Sequence, residues 1–219
     1  MGKWIKKARQ IDLLWEDVHK LDGKRVAGSG GIVVLSSFVI GLLVYVAIKT
    51  FYLKTPEYLV EIFALLSVIL IAGGIGLIDD LFGWHKGGLS MKTRILLLIF
   101  AAIPLVVINA GESMMVGIEF GLFYPLLLIP LGIVGVTTTF NFLAGYNGLE
   151  ASQGILILAA LSLVTFFTGN SWLSLILVIM IASLLAFYLF NHNPAKVFPG
   201  DSLTYPVGAL IAVVAILGN

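Results

Sequence analysis

The chain contains no cysteine, which excludes disulfides and thiolate metal sites and leaves the redox compartment open. Charge is the next scarcity. Only 11% of the 219 residues are Asp, Glu, Lys or Arg, against about 25% in a soluble domain. The formal net charge is +1, so no overall field favours nucleic acid, and no nucleic-acid partner is expected. His85 and His192 have no neighbour at metal-ligand spacing and read as ordinary loop residues. The first twenty residues hold no uninterrupted apolar stretch of the kind a signal peptide needs. Repeats, low-complexity tracts and any linker long enough to hold a second domain are absent too. Residues 1–219 therefore read as a single membrane domain.

What is abundant is apolar surface. Hydrophobic residues make up 59% of the chain, and mean hydropathy is +1.06. Seven apolar runs stand out, at roughly 31–48, 58–78, 95–110, 120–140, 152–168, 172–190 and 203–218. The expected fold class is an all-α polytopic integral membrane protein with about seven transmembrane helices. An N-terminal interfacial amphipathic helix should precede them. Its apolar positions Trp4, Ala8, Ile11, Trp15 and Val18 recur at helical spacing among Lys3, Lys6, Lys7 and Arg9.

Charge placement orients these spans. If the first run enters from the cytoplasm, the inner segments are 1–30, 79–94, 141–151 and 191–202. They contain Lys3, Lys6, Lys7, Arg9, Lys20, Lys24, Arg25, Lys86, Lys92, Arg94 and Lys196, and only Lys49 and Lys54 of the 13 basic residues lie elsewhere. That is the pattern of the positive-inside rule. The same segments carry the unusual polar residues: Asp17 and Lys20; Asp79, Asp80, Lys92 and Arg94; Asn141, Asn147 and Glu150; His192, Phe198 and Asp201. Carboxylates, amides and cations gathered on one face suit a hard cation with a phosphorylated ligand. Mg²⁺ takes oxygen ligands from one or two carboxylates and shares substrate phosphates.

Each piece also has a plainer reading. Adjacent aspartates at a helix end can cap it or face water, Asn147-Gly148 alone is a turn, and Gly200-Asp201-Ser202 can be an N-cap. Gly28, Gly30 and Gly31 suggest a flexible turn into the first span, or a phosphate nest. Gly73, Gly74 and Gly76 would let helices approach closely. The coincidence of four such segments on one face favours a site.

Three stretches carry a family resemblance: GLIDDLFG (76–83), NFLAGYNGLEA (141–151) and VFPGDSLTY (197–205). They resemble the polyprenyl-phosphate N-acetylhexosamine-1-phosphate transferases, glycosyltransferase family 4. The AGYNGLEA wording resembles most the branch that uses UDP-N-acetylglucosamine and dolichyl phosphate. Asp17 and Lys20 match the family's early Asp-x-x-Lys element. The resemblance implies an enzyme that transfers N-acetylglucosamine 1-phosphate to a membrane polyprenyl (dolichyl) phosphate and releases UMP, the first step of lipid-linked glycan assembly. It implies Mg²⁺ as cofactor, with Mn²⁺ as an alternative, and leaves a homodimer open.

By position, the resemblance makes Asp79, Asp80 and Asp201 catalytic. Asp79 would deprotonate the lipid phosphate, and Asp80, Asp201 and Asn141 would organise the metal. Asn147 and Phe198 would hold the uracil, and Asp17, Lys20 and one of Lys92 or Arg94 would complete the substrate site. The catalytic loops would be cytoplasmic, near 79–94, 138–151 and 191–202. There are departures. Thr138 stands where the family has the first Asn of an Asn-x-x-Asn element. The family also usually has ten spans and a final basic loop, so the chain is expected to be truncated at both ends. A Mg-dependent prenyltransferase would want an acid where Gly83 stands. A transporter would place its polar groups near the bilayer midplane.

Overall fold

The computed structural model describes residues 1–17 and 25–218. Helix α1 (Gly2–Gln10) buries Ala8 and leaves its basic residues exposed. The expected amphipathic helix stops there. Asp12 turns left-handed (φ 58°), and Trp15 lies on a strand, β1 (Leu14–Glu16), paired antiparallel with β2 (Arg25–Ala27). The helical spacing that included Trp15 is overridden by this pairing, which sets Trp15 opposite Val26 and which periodicity does not register. Val18 and Lys20 lie outside the described residues.

Helix α2 (Gly31–Ala47) runs through a wider π-type turn to Tyr52, and α3 (Leu59–Lys86) is the longest element. The next run is broken into α4 (Met91–Ala101) and α5 (Ile103–Ile108), with Pro104 in the first turn of α5, where its missing N–H has no helical partner to lose. A two-residue hairpin, β3 (Met114–Met115) and β4 (Ile118–Glu119), leads to α6 (Ile129–Phe142), which is preceded by a π-type turn. Then follow α7 (Leu149–Phe167), α8 (Ser171–Asn191) and α9 (Asp201–Leu217).

Among the described residues, six helical segments are long and apolar enough to cross a membrane, and α9 is a shorter apolar helix of 17 residues. The molecule is all-α in its membrane part. Helices suit that environment because each satisfies its own backbone hydrogen bonds where no water can. Phe51, Leu122, Phe123, Phe167 and Leu189 remain exposed on the outside of the bundle, as lipid-facing side chains should.

The core is built around α9. Its residues 202–210 are all buried, and it packs along α3 and α6 with α2 and α7 at its flanks. Gly76 of α3 and Gly31 of α2 permit this. A Cβ on Gly76 would run into the Asp201 backbone, and one on Gly31 into the backbone of Ser202 and Leu203. Small residues at such crossings let helices touch backbone to backbone. Gly31 is thus a packing residue rather than part of a loose turn. Gly74 meets nothing within 4 Å, unlike its neighbours.

The N-terminal segment is stitched onto the α8–α9 loop. Phe198 N donates to Ala27 O (2.7 Å), Gly30 N to Phe198 O (2.9 Å) and Gly31 N to Pro199 O (2.9 Å). Trp4 Nε1 donates to Gly28 O (3.0 Å). These bonds bring the first polar segment against the last.

Candidate active site

Asp79 and Asp80 do not mark the end of a helix. Helix α3 continues to Lys86, and the two carboxylates are only 2% and 6% exposed. Partners rather than water offset part of the cost of burial. Asp80 reaches the N-terminus of α9: Oδ1 accepts from Asp201 N (2.7 Å) and Oδ2 from Ser202 N (3.2 Å). Those are orphan donors of a helix start, and a carboxylate there is favoured by the helix dipole. Gly200, at φ 70°, makes the fit possible, because a Cβ there would collide with the Asp80 carboxylate.

Asp79 faces a different set of partners. Its Oδ1 accepts from Leu89 N (2.7 Å) and Arg94 Nη2 (3.0 Å). Its Oδ2 pairs with Arg94 Nε and accepts from the Tyr205 hydroxyl (3.3 Å). One carboxylate therefore ties α3, α4 and α9 together. Lys92, two positions from Arg94 and so about 200° around the helix, is exposed. The structure brings Arg94 to the site and leaves Lys92 outside it.

Asp201 is held by Asn141, whose Nδ2 donates to Asp201 Oδ1 (2.7 Å) and to Thr204 Oγ1 (2.8 Å). Asn147 Nδ2 donates to Asp17 Oδ2 (3.2 Å). A cavity of about 360 Å³ opens between these groups, lined among others by Asp17, Asp80, Asn147, Phe198, Gly200 and Asp201. Of the residues expected from the sequence, Asp17, Asp79, Asp80, Arg94, Asn141, Asn147, Phe198 and Asp201 are thus joined in one neighbourhood. Lys92 is apart from it.

Sequence reasoning assigned no role to three cavity-lining residues, although Glu150 counted among the polar residues of the inner face. Ser29, Glu150 and Asn191 are 0%, 5% and 0% exposed, and among the described residues Glu150 Oε2 and Asn191 Oδ1 have no hydrogen-bond partner. It also passed over Tyr205, the partner of Asp79. Glu150 and Tyr205 stand inside the stretches that carry the resemblance, but nothing in their spacing distinguished them from helix-start and core residues.

The donor set can be tested against a cation. Among the described residues no group of three or more His, Asp or Glu side chains has metal-holding geometry. Mg²⁺ does not need one, since it is commonly held by one or two carboxylates together with substrate phosphates and water. Asp80 and Asp201 have no cationic partner among the described residues, unlike Asp79. The available donors are all oxygens, the preference of a hard cation. The residues fit Mg²⁺ or Mn²⁺.

The family model of glycosyl transferase family 4 matches residues 62–219, a span that runs from the first turn of α3 through α9. The chain belongs to glycosyl transferase family 4. A protein of Saccharolobus solfataricus, provisionally named UDP-N-acetylglucosamine–dolichyl-phosphate N-acetylglucosaminephosphotransferase, is 34% identical over 98% of this chain and 65% of its own length. Its namesake in Sulfolobus acidocaldarius is 31% identical over 93% of the chain and 62% of its own length. The phospho-N-acetylmuramoyl-pentapeptide-transferase of Streptococcus thermophilus is 33% identical over 69% of the chain and 47% of its own length. The chain thus spans less than two thirds of the length of these curated relatives. Family and apolar helices together make this a multi-pass membrane protein.

Proposed function

We propose that the chain carries the catalytic site of a glycosyl-1-phosphate transferase that moves N-acetylglucosamine 1-phosphate from UDP-N-acetylglucosamine to a polyprenyl phosphate. The observation that carries this reading is the meeting of Asp80 with the Asp201 end of α9 beside a cavity lined by Asn147 and Phe198. The named reactions of the relatives support it. The site faces the cytoplasm in this reading, as the distribution of Lys and Arg favours.

An oxygen of the lipid phosphate attacks the β-phosphorus of the nucleotide sugar. The bond from that phosphorus to the oxygen bridging it to the α-phosphorus breaks, and UMP leaves with the electron pair. Phe198 offers a ring face to the uracil and Asn147 a hydrogen bond, with Asp17 alongside. Held by Asp201, Asp80 and Asn141, Mg²⁺ or Mn²⁺ would neutralise charge developing on the phosphates. Arg94, held beside the site by Asp79, supplies a cation for an incoming phosphate. Asp79 takes the acceptor's proton once Arg94 turns from it toward that phosphate, since both Asp79 oxygens are otherwise engaged. An apolar groove of about 380 Å³, bordered by Leu131, Val136, Leu143, Ile157 and Ile211, shares α6 with Asn141 and suits a polyprenyl chain entering from the bilayer.

The test is UMP release from UDP-N-acetylglucosamine by the protein in liposomes, with and without polyprenyl phosphate. The expected result is release that requires both the lipid and a divalent cation. Release independent of the lipid, or none with any UDP-N-acetylhexosamine, overturns the proposal.

A further inference from the structure

Glu150 is a buried acid with half of its carboxylate unaccounted for. Oε1 accepts from Gly145 N (3.1 Å), which closes the loop before α7. Oε2 accepts no hydrogen bond from any of the described residues, although the side chain lines the cavity. Leaving a buried acceptor unmade costs on the order of 1–3 kcal/mol, more when it is charged, so such an atom calls for an explanation. A second observation points the same way. Asn191 comes from a different helix, is fully buried, and donates through Nδ2 to Val197 O (2.9 Å), while its Oδ1 is likewise unpartnered among the described residues and the residue borders the same cavity.

Two acceptors from two helices, both short of a donor, describe the missing partner. It carries N–H or O–H groups. It is not a phosphate, which has acceptors of its own and would be repelled by Glu150. Aromatic side chains of Trp15, Tyr146 and Phe198 line the same cavity, which suits a flat or ring-shaped group. Glu150 also stands three residues after Asn147, in the first turn of α7.

We infer that Glu150, with Asn191, is a specificity-determining acceptor for the nucleoside half of the ligand, taking a hydrogen bond from its imide N–H or a ribose hydroxyl. This rests on the nucleotide-sugar reading above. It makes Glu150 a discriminator of which base or sugar enters, a role separate from the phosphate chemistry at Asp80 and Asp201.

Glu150→Gln tests it cleanly. The amide oxygen can keep the bond from Gly145 N only by placing an NH₂ where Oε2 stands, which turns an acceptor into a donor in the same volume. Dissociation constants are measured for UMP, 3-methyl-UMP, 2′-deoxy-UMP and UDP-N-acetylglucosamine with the protein in nanodiscs. Glu150→Gln should weaken UMP and UDP-N-acetylglucosamine by the same factor, about 5- to 100-fold. One of the two analogues should bind the unmodified protein more weakly than UMP, and should lose little more on the variant. The methyl analogue failing assigns the imide, and the deoxy analogue failing assigns the ribose. If neither analogue binds the unmodified protein more weakly than UMP, the inference is overturned without recourse to any variant. It is also overturned if Glu150→Gln weakens UDP-N-acetylglucosamine but not UMP, since the hexosamine is then what it reads. An unmodified protein that binds neither UMP nor UDP-N-acetylglucosamine brings down the nucleotide-sugar reading itself.

Discussion

At the residue scale, neighbouring aspartates of one helix have unlike jobs. Asp79 is 1% exposed at its side chain and paired with an Arg94 that is 31% exposed. Removing the cation leaves a buried charge. Arg94→Gln should therefore destabilise the fold by about 3 kcal/mol, the low end for breaking a buried pair, because Arg94 is partly solvated. The double variant with Asp79→Asn should recover much of that loss. Denaturation midpoints in detergent check both, and full additivity of the two changes would show that the pair is not coupled. Asp201 carries a different expectation. Asp201→Asn keeps the shape that Asn141 and Thr204 surround, so stability should hold while UMP release falls by at least about 100-fold, the scale of losing a key electrostatic group. Near-normal turnover at saturating Mg²⁺ would remove Asp201 from the metal site.

At the scale of elements, the site depends on how close α3 lies to α9. Gly76 meets the Asp201 backbone, whereas Gly74 meets nothing. Alanine is favoured over glycine in a helix interior by up to about 1 kcal/mol. Gly74→Ala should therefore leave the melting midpoint unchanged or raise it. Gly76→Ala should lower it despite the same gain in propensity, and should also slow turnover, since α9 must shift and carry Asp201 away from Asp80. Equal behaviour of the two variants in thermal melts would mean that α3 and α9 are not in backbone contact.

For the whole molecule, the prediction concerns sidedness. The absence of native cysteine makes single-cysteine labelling direct. Ser202 is buried and unsuitable, but Ser90, Tyr146 and His192 are exposed near the site, and Glu112 and Ser171 are exposed elsewhere. Ser90→Cys, Tyr146→Cys and His192→Cys should react with an impermeant maleimide only from the cytosolic side, and Glu112→Cys and Ser171→Cys only from the other. Labelling of Tyr146→Cys from outside would break the assignment of all polar segments to one face.

The membrane character, the apolar runs and the grouping of polar segments are legible in the chain because they depend on composition and local sequence. Lipid requires long self-satisfied helices, and such helices announce themselves in hydropathy. Even so, the second run does not end before Asp79. The helix continues because α4 and α9 offer the aspartates partners that hydropathy does not register. Trp15 left its helical period for a strand because β2 and the α8–α9 loop bind that segment from far along the chain. Tertiary structure alone separated Arg94 from Lys92, assigned Asp80 to the start of α9 and left Glu150 and Asn191 beside the cavity with acceptors that no described residue meets. Those outcomes are matters of which groups meet across helices, and hydrogen bonding between distant segments leaves no periodic trace in a sequence.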